Sequence, residues 1–240
     1  MKSPRALLVS LRDPTDPMSE QERLCFAERA DVPLEAIDLH PMAEGRPDKG
    51  RLRSYDAVFF GGSGAYSVLD DVPWIRAGLE ACLEVIELRV PAFASCFGFQ
   101  GLAKALGGEV IRDDARQELG AYELDLTPAG REDEVLGALP STFWGQEGHH
   151  DHVMKLPRGV TLLATGRNIE NQAFKVDGAP FWASQFHPEL TIRRTVERFR
   201  YYSALYSAPG TTEAVVAHLE SGTDTPEMAD VLKRVVRLGR

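Results

Sequence analysis

Short runs of apolar residues alternate with longer amphipathic segments through the first hundred residues of the chain. Short apolar runs are typical of strands buried on both faces, and the longer segments have the spacing of helices that pack against a sheet. Strands are predicted at 6–11, 34–40, 56–62 and 90–96, and helices at 19–30, 73–88 and 98–106. This alternation predicts an α/β fold, with a mostly parallel open sheet flanked by helices.

The pattern changes after Gly108, where shorter segments with alternating apolar and polar positions predict an antiparallel or mixed extension of the sheet. These segments are 109–113, 118–126, 141–146, 160–166, 171–176 and 180–186. A helix is predicted over 191–206, and after the break at 208–210 the apolar spacing is that of further helices. We therefore expect a C-terminal helical tail.

The composition and net charge of the chain argue against two classes of partner, nucleic acids and anionic membranes. The 240-residue chain carries 27 Lys and Arg against 36 Asp and Glu, a formal net charge of −9 at pH 7. Such an acidic chain is a poor ligand for nucleic acid or for an anionic membrane. The apolar run at 6–11 is too short for a signal sequence or a membrane span. We expect a cytoplasmic protein that binds neither nucleic acid nor membrane.

Three widely spaced cysteines argue against a disulfide framework. Cys25 and Cys82 fall inside predicted helices and are interpreted as buried structural residues. Cys96 instead ends the predicted strand at 90–96 and directly precedes a helix, which is where open α/β sheets place their sites. A tight turn of this kind, a nucleophile elbow, exposes a nucleophile, and the helix N-terminus favours a thiolate. On its own, Cys96 is either a catalytic thiol or a core cysteine.

The stretch QFHPE at 185–189 offers a base for that thiol. Pro188 keeps the backbone extended, so His187 and Glu189 project to the same side. The carboxylate could then fix the imidazole tautomer while the other ring nitrogen faces the thiol. Taken alone, His187 could equally be a histidine in the turn at a strand end.

The glycine-rich turn at 61–64 follows the third predicted strand. Adjacent glycines let backbone N–H groups approach a ligand closely, so Gly62 could donate to an oxyanion, together with the N–H of Phe97. The turn lacks the Gly-Lys-Ser/Thr ending of a phosphate loop. Its alternative interpretation is an ordinary turn between strand and helix.

The stretch GHHDHV at 148–153 has the composition of a metal site. In an extended segment His150 and His152 share one face, and His149 and Asp151 share the other, so at most two of these ligands converge. We predict no metal here, and a loop at the rim of the site.

In order and spacing, the glycine-rich turn, the cysteine turn and QFHPE together resemble the class I glutamine amidotransferases, which use a cysteine, a histidine and a glutamate. The resemblance runs from about Ala6 to Tyr206 and includes further segments of the chain. They are Ala-Leu-Gly-Gly at 105–108, Glu118-x-Gly120, Trp144 and His149-x-Asp151-x-Val153, the last two similar to amidotransferase domains of GMP synthetase. The resemblance implies a flavodoxin-like amidotransferase domain over 1–206, with 207–240 a helical extension packed on it.

The resemblance also implies roles for the site residues. Cys96 would attack the γ-amide carbonyl of glutamine to form a thioester, with His187 as the base and Glu189 as its orienter. The remaining implied residues are Gly62 and Phe97 as backbone donors to the oxyanion, and Gln100, His149 and Asp151 as the substrate-binding set. The resemblance requires neither a metal nor an organic cofactor.

The cysteine turn departs from the usual family pattern Gly-x-Cys-x-Gly-His-Gln at two positions. Ala94 replaces the first glycine and Phe99 replaces the histidine. Phe99 lies outside the triad, so this departure bears on substrate fit more than on the chemistry.

Three functions remain open from the sequence. The chain could be a glutaminase subunit that passes ammonia to a separate synthetase subunit, or a stand-alone hydrolase of γ-glutamyl amides or peptides. It could also be a non-catalytic regulatory module with a vestigial site, although an intact triad argues against this. The helical tail could cover the sheet, form a homodimer or dock a partner.

Overall fold

The computed structural model describes residues 4–239. Residues 1–3, at the start of the expected domain 1–206, and residue 240, at the end of the expected extension 207–240, lie outside the described residues. The described part of the chain forms eleven strands and eight α-helices. The strands are β1 (Ala6–Ser10), β2 (Ile37–Pro41), β3 (Ala57–Phe60), β4 (Ala92–Ser95), β5 (Glu109–Arg112), β6 (Glu118–Leu126), β7 (Thr142–His149), β8 (Asp151–Lys155), β9 (Val160–Gly166), β10 (Ala173–Val176) and β11 (Phe181–Ser184). The helices are α1 (Met18–Ala30), α2 (Lys49–Arg53), α3 (Pro73–Leu88), α4 (Phe97–Ala105), α5 (Pro128–Glu132), α6 (Ile192–Tyr206), α7 (Thr212–Glu220) and α8 (Met228–Leu238).

Nine of the described strands form one sheet in the order β2-β1-β3-β4-β11-β10-β9-β6-β7, and β5 pairs with β8 in a second, two-stranded sheet. The strands from β2 to β11 in this order are parallel, and those from β11 to β7 are antiparallel. The prediction of a mostly parallel sheet flanked by helices, with an antiparallel extension and C-terminal helices, is confirmed.

The position of β11 differs from the prediction, which placed the segment 180–186 in the antiparallel extension. In the structure β11 pairs in parallel with β4, with Ser184 opposite Ser95. Every residue of β11 is buried, as in β1, β3 and β4, and burial on both faces is typical of a strand inside a parallel sheet. This pairing brings QFHPE, which follows β11, beside the cysteine turn, which follows β4.

Successive residues of the central strands enter two different cores because side chains alternate across a sheet. On β3, Val58 and Phe60 pack with residues of α3 and α4, whereas Phe59 packs with residues of α1 and α8. Helices therefore cover both faces, and the sheet edge at the carboxyl ends of the parallel strands is left for the turns that carry the candidate chemistry.

The start of α1 has the residue pattern of a capping box, with Ser19 followed three residues later by Glu22, but the structure does not use it in this way. The helix begins at Met18, whose N–H is accepted by the Asp16 carboxylate at 2.8 Å. Glu22 is fully buried and bonds to the side chain of Arg12 instead of capping the helix. Glu22 therefore makes a tertiary contact and does not cap the start of α1.

The C-terminal segment packs on the rest of the chain through α7 and α8. α8 packs against α1, and α7 packs against α6. The buried face of α8 consists of Met228, Val231, Leu232, Val235 and Val236. Among the helices between residues 4 and 239, none combines the length and the hydropathy that a membrane crossing needs.

Leu232→Ala should destabilise the protein, because Leu232 is fully buried in the core shared by α1 and α8. We expect the free energy of unfolding in urea to fall by about 2–5 kcal/mol. Leu238→Ala is the matched control, since Leu238 ends the same helix and is 39% exposed; it should change the value by about 0.5 kcal/mol or less. Equal effects of the two substitutions would contradict the packing role of α8.

Candidate active site

Cys96 occupies the turn between β4 and α4 with a backbone conformation that side chains rarely adopt, at φ +50° and ψ −103°. Two hydrogen bonds hold it there: its N–H donates to the carbonyl of Ser184 at 2.8 Å, and its carbonyl accepts from the N–H of Gln100 at 3.0 Å. The strained turn sits at the carboxyl end of a parallel strand, as predicted for a nucleophile elbow.

Ala94 and Phe99, the two residues that depart from the family pattern, are both fully buried. A Cβ added at Gly98 would lie 2.8 Å from the carbonyl oxygen of Phe60 and 3.2 Å from the Cβ of Ala94, so the turn closes only around small residues. Phe99 is fully buried and packs against Phe174, with ring centroids 5.2 Å apart. Phe99 therefore belongs to the core rather than to the walls of the site.

His187 and Glu189 form a buried pair directly after β11. The imidazole Nδ1 donates to Glu189 Oε1 at 2.6 Å, and Arg198 Nη1 lies 3.4 Å from the same oxygen. Burial alone would raise the pKa of Glu189, but the charge and hydrogen bond of His187, together with Arg198, lower it to about 2. An ionised Glu189 keeps the imidazole proton on Nδ1 and leaves Nε2 free to accept another.

Gly62 lies beside the imidazole, since a Cβ at this position would come within 3.1 Å of His187 Cε1. Its N–H donates to Glu22 Oε1 at 2.9 Å, so the structure differs from the expectation that this group serves an oxyanion. A Cβ at Gly61 would overlap the same carboxylate. The glycine pair thus allows close approach of Glu22 and His187. The other expected donor, the N–H of Phe97, faces the Cys96 sulfur.

A buried ionic network behind the site was missed by sequence reasoning. Arg12 Nη2 lies 2.9 Å from Glu22 Oε1, and both side chains are almost fully buried. Arg198 Nη1 lies 3.7 Å from Glu22 and 3.4 Å from Glu189, so it connects the glycine-rich turn with the His187 pair. The only signal in the sequence was Arg12 directly after the first strand.

The surroundings of Cys96 favour its thiol form over the thiolate. Burial raises its pKa strongly, and the negative charges of Glu147 and Glu189 raise it further, while Arg198 and the N–H of Phe97 act in the opposite direction. The helix N-terminus is therefore not sufficient to produce a resting thiolate, contrary to the expectation from the turn alone. The thiol needs a base at the moment of attack.

Gln185 is a second residue that sequence reasoning missed. Its Nε2 lies 3.7 Å from Cys96 Sγ and donates to it, and its Oε1 accepts from Gln100 Nε2 at 3.2 Å. Gln100 Nε2 also donates to the carbonyl of Asp151 at 2.7 Å.

The extended backbone predicted around Pro188 is not observed: residues 185–186 form a bend and 188–189 a turn, in which the Leu190 N–H donates to the His187 carbonyl at 3.2 Å. The turn brings Glu189 to His187, and no alternation of side chains along a strand identifies Gln185.

His149 belongs to a buried cluster with Glu118 and Glu147. Its Nδ1 faces the carbonyl of Asp151 at 2.9 Å and must donate to it, and its Nε2 lies 3.2 Å from both carboxylates. Burial lowers the pKa of His149, but the two carboxylates raise it to about 9. Burial raises the pKa of Glu147 to about 7, against the opposing effect of His149.

These three side chains are also the potential metal ligands among the described residues, since each offers one ligand atom within 4.8 Å of the others. The other histidines of 148–153 point elsewhere. His150 Nδ1 lies 2.9 Å from Asp114, and His152 Nε2 lies 3.2 Å from Arg116. The histidine-rich stretch therefore does not form a common metal shell of its own.

Cys96 lines two adjoining cavities. The larger, of about 330 Å³, is also lined by Gln100, His149 and Asp151 and by the glycine-rich turn. The smaller, of about 50 Å³, is lined by His187 and Glu147 together with α6. The structure thus places the expected substrate-binding residues on one side of the sulfur and the expected base on the other.

Gln185→Leu removes the side-chain donor to Cys96 Sγ. The pKa of the thiol should rise further, and alkylation of Cys96 by iodoacetamide at pH 8 should slow by about tenfold, corresponding to one pKa unit. Mass analysis of the Cys96 peptide gives the rate. Gln117→Leu, outside the site, should alkylate like the wild type, and an unchanged rate in Gln185→Leu would contradict the proposed hydrogen bond.

Comparison with known proteins gives one consistent result. The family model of glutamine amidotransferase class-I matches residues 35–200. The glutamine-hydrolyzing GMP synthase subunit of Sulfolobus acidocaldarius is 34% identical over 159 residues, which cover 65% of this chain and 80% of the relative. The corresponding subunit of Sulfurisphaera tokodaii is 32% identical over 152 residues, covering 63% and 77%.

Solved structures agree in fold. A glutamine amidotransferase from Thermotoga maritima superposes with a TM-score of 0.71 at 21% identity, over 98% of this chain and 99% of the other. One from Methylobacillus flagellatus superposes with a TM-score of 0.72 at 20% identity, over 98% and 95%. The cysteine turn and the sheet that carries it are thus set in a fold shared with such proteins, and the chain belongs to the class I glutamine amidotransferase family.

Proposed function

We propose that this chain hydrolyses the γ-amide of glutamine through a Cys96 thioester and supplies the ammonia to a separate synthetase subunit. The observation that carries the proposal is the division of the site into a larger and a smaller cavity that meet at Cys96. The two cavities differ in size and in the residues they present, so they can be matched to the two halves of the substrate.

The larger cavity suits the amino-acid head of glutamine. Asp151 accepts a hydrogen bond from Ser67 through Oδ2, whereas its buried Oδ1 has no partner among residues 4–239 and can accept the α-ammonium group. His149 holds the Asp151 carbonyl and therefore positions this residue. The Nε2 of Gln100 is occupied, so its Oε1 is the atom that can accept from the substrate.

His187 acts as the general base because the thiol is protonated. As Sγ attacks the amide carbonyl, the thiol proton moves to His187 Nε2, and Glu189 stabilises the imidazolium. The N–H of Phe97 donates to the developing oxyanion. Ser63 takes the second donor position in place of Gly62, because it lines both cavities and its buried Oγ has no hydrogen-bond partner within the described chain.

The leaving nitrogen takes its proton from His187. It must therefore lie on the same side of Cys96 as His187. His187 lines the small cavity, whose volume of about 50 Å³ accommodates ammonia or a few water molecules and leaves little space for a larger leaving group. Water then enters, loses a proton to His187 and cleaves the thioester to glutamate. This limit on the leaving group favours glutamine over γ-glutamyl peptides.

The partner is inferred from the relatives. Two proteins similar to this chain are, by their names, single subunits of a GMP synthase, which implies another subunit in those systems. In this proposal residues 1–206 are the amidotransferase domain, and 207–240 are a helical extension packed on it. The partner would be an ATP-using synthetase subunit that accepts ammonia.

Substrate preference tests the cavity argument. Purified protein should release ammonia and glutamate from glutamine with a kcat/KM at least about 100-fold above that for γ-glutamylglycine, because the glycine leaving group has no room beside His187. Both products are measured, with and without cell extract as a source of the partner. A preference for the dipeptide would indicate the stand-alone hydrolase, and no turnover of either compound would indicate a non-catalytic module.

Substitutions in the triad should have graded effects on glutamine hydrolysis. Cys96→Ala should lower kcat by about 10⁴-fold or more with the fold intact, and His187→Ala should nearly match it. Glu189→Gln should lose less, about 10²- to 10⁴-fold, since this residue orients the base and does not react. Exposed Glu220→Gln serves as a control with wild-type rates. Substantial activity of Cys96→Ala would refute the nucleophile assignment.

A further inference from the structure

The two cavities that meet at Cys96 share a small set of lining residues, which form the junction between them. The junction consists of Ser63, Gly64, Cys96, Gly148 and Tyr206. Of these five described residues, Tyr206 alone has a large side chain. A Cβ added at Gly148 would meet no atom within 4 Å, so the space beside this glycine is open. The width of the junction therefore depends mainly on the phenol ring of Tyr206.

Tyr206 is held from two sides of the site. Its ring stacks on the imidazole of His150, with the ring centroids 5.5 Å apart and the planes at 26°. Its hydroxyl donates to the carbonyl of Gly64 at 3.4 Å, which is a long hydrogen bond. His150 lies between β7 and β8, whereas Gly64 lies in the glycine-rich turn after β3. The side chain thus extends from one wall of the site to the other.

Tyr206 is the last residue of α6, and Tyr202 anchors this helix one turn earlier. The Tyr202 hydroxyl accepts from Arg12 Nη1 at 2.8 Å and donates to Asp16. A Cβ at Gly64 would overlap the Tyr202 ring, so glycine lets the turn pack closely against α6. Residues four apart lie on the same face of a helix, so the anchored Tyr202 directs Tyr206 toward the same turn.

We propose that Tyr206 is the residue that restricts the leaving group of this enzyme to ammonia. The inference rests on the proposed function, in which the acyl head lies in the larger cavity and the nitrogen leaves into the smaller one. A substituent on that nitrogen would have to occupy the junction or the small cavity of about 50 Å³. The phenol ring lies at the junction, and its stacking on His150 opposes rotation away from it. Tyr206 acts by steric exclusion, through its ring and not through its hydroxyl.

Glutamine and γ-glutamylmethylamide test this exclusion, because they differ by one methyl group on the leaving nitrogen. Tyr206→Ala should raise the ratio of kcat/KM for γ-glutamylmethylamide to kcat/KM for glutamine by about tenfold or more, the scale on which an enzyme pocket discriminates one methyl group. Tyr206→Phe retains the ring and should keep the wild-type ratio. Tyr201→Ala is the matched control with an unchanged ratio, since Tyr201 lies on the same helix, is 51% exposed and lines neither cavity.

An unchanged ratio in Tyr206→Ala with wild-type circular dichroism would overturn the proposal. An equal increase in Tyr206→Phe would assign the effect to the hydroxyl and overturn it as well. Tyr206→Leu retains an apolar side chain at the end of α6 and is the second variant. It should also raise the ratio because its side chain is shorter than the phenol ring, and an unchanged ratio there would contradict the steric role.

A measurement without turnover distinguishes this proposal from the proposed function. Alkylation of Cys96 by iodoacetamide and by the bulkier N-ethylmaleimide is followed by mass analysis of the Cys96 peptide. Tyr206→Ala should accelerate the reaction with N-ethylmaleimide more than the reaction with iodoacetamide. This size effect in a protein that hydrolyses neither substrate would refute the proposed function and retain the ring as a size limit at Cys96. Normal hydrolysis of glutamine with no size effect and no change in the substrate ratio would retain the proposed function and refute the role of Tyr206.

Discussion

The parallel pairing of β4 with β11 is the interaction on which the site depends. Ser95 lies opposite Ser184, and the N–H of Cys96 continues the ladder onto the Ser184 carbonyl at 2.8 Å. Parallel strands end at the same edge of a sheet, so the turn after each strand delivers its side chains to one place. A shift of one residue would turn every side chain of β11 to the opposite face and separate His187 from the sulfur.

The burial of Cys96 and its neighbours determines how the thiol at this sheet edge can react. A thiol surrounded by apolar walls and two carboxylates does not ionise at rest, so the protein depends on a base held in the correct tautomer. That tautomer is fixed by Glu189, and Glu189 is kept ionised by His187 and Arg198. The same desolvation makes these ion pairs costly to break, because removal of one member leaves the other charged and unpaired. The network around Arg198 therefore links the fold to the positions of the reacting groups.

Much of this arrangement could be predicted from the sequence, and the failures have a common cause. The helix at 73–88 and the cysteine turn follow from local periodicity, from Pro73 and from the strand end before Cys96. The buried partners Glu22 and Gln185 could not be found in this way, because their contacts join segments that are far apart in sequence. Glu22 has a plausible local role as a helix cap, and only the tertiary contact with Gly62 shows otherwise. The parallel position of β11 was missed for the same reason, since strand pairing is not a local property.

The two cavities meet at Cys96, so the two parts of a cleaved amide can lie on different sides of the sulfur. An amide is cleaved into an acyl part, which stays on the sulfur, and a nitrogen, which must leave without passing the acyl group again. In the proposed mechanism the acyl head lies in the larger cavity, beside Asp151, and the nitrogen departs into the smaller one, beside His187.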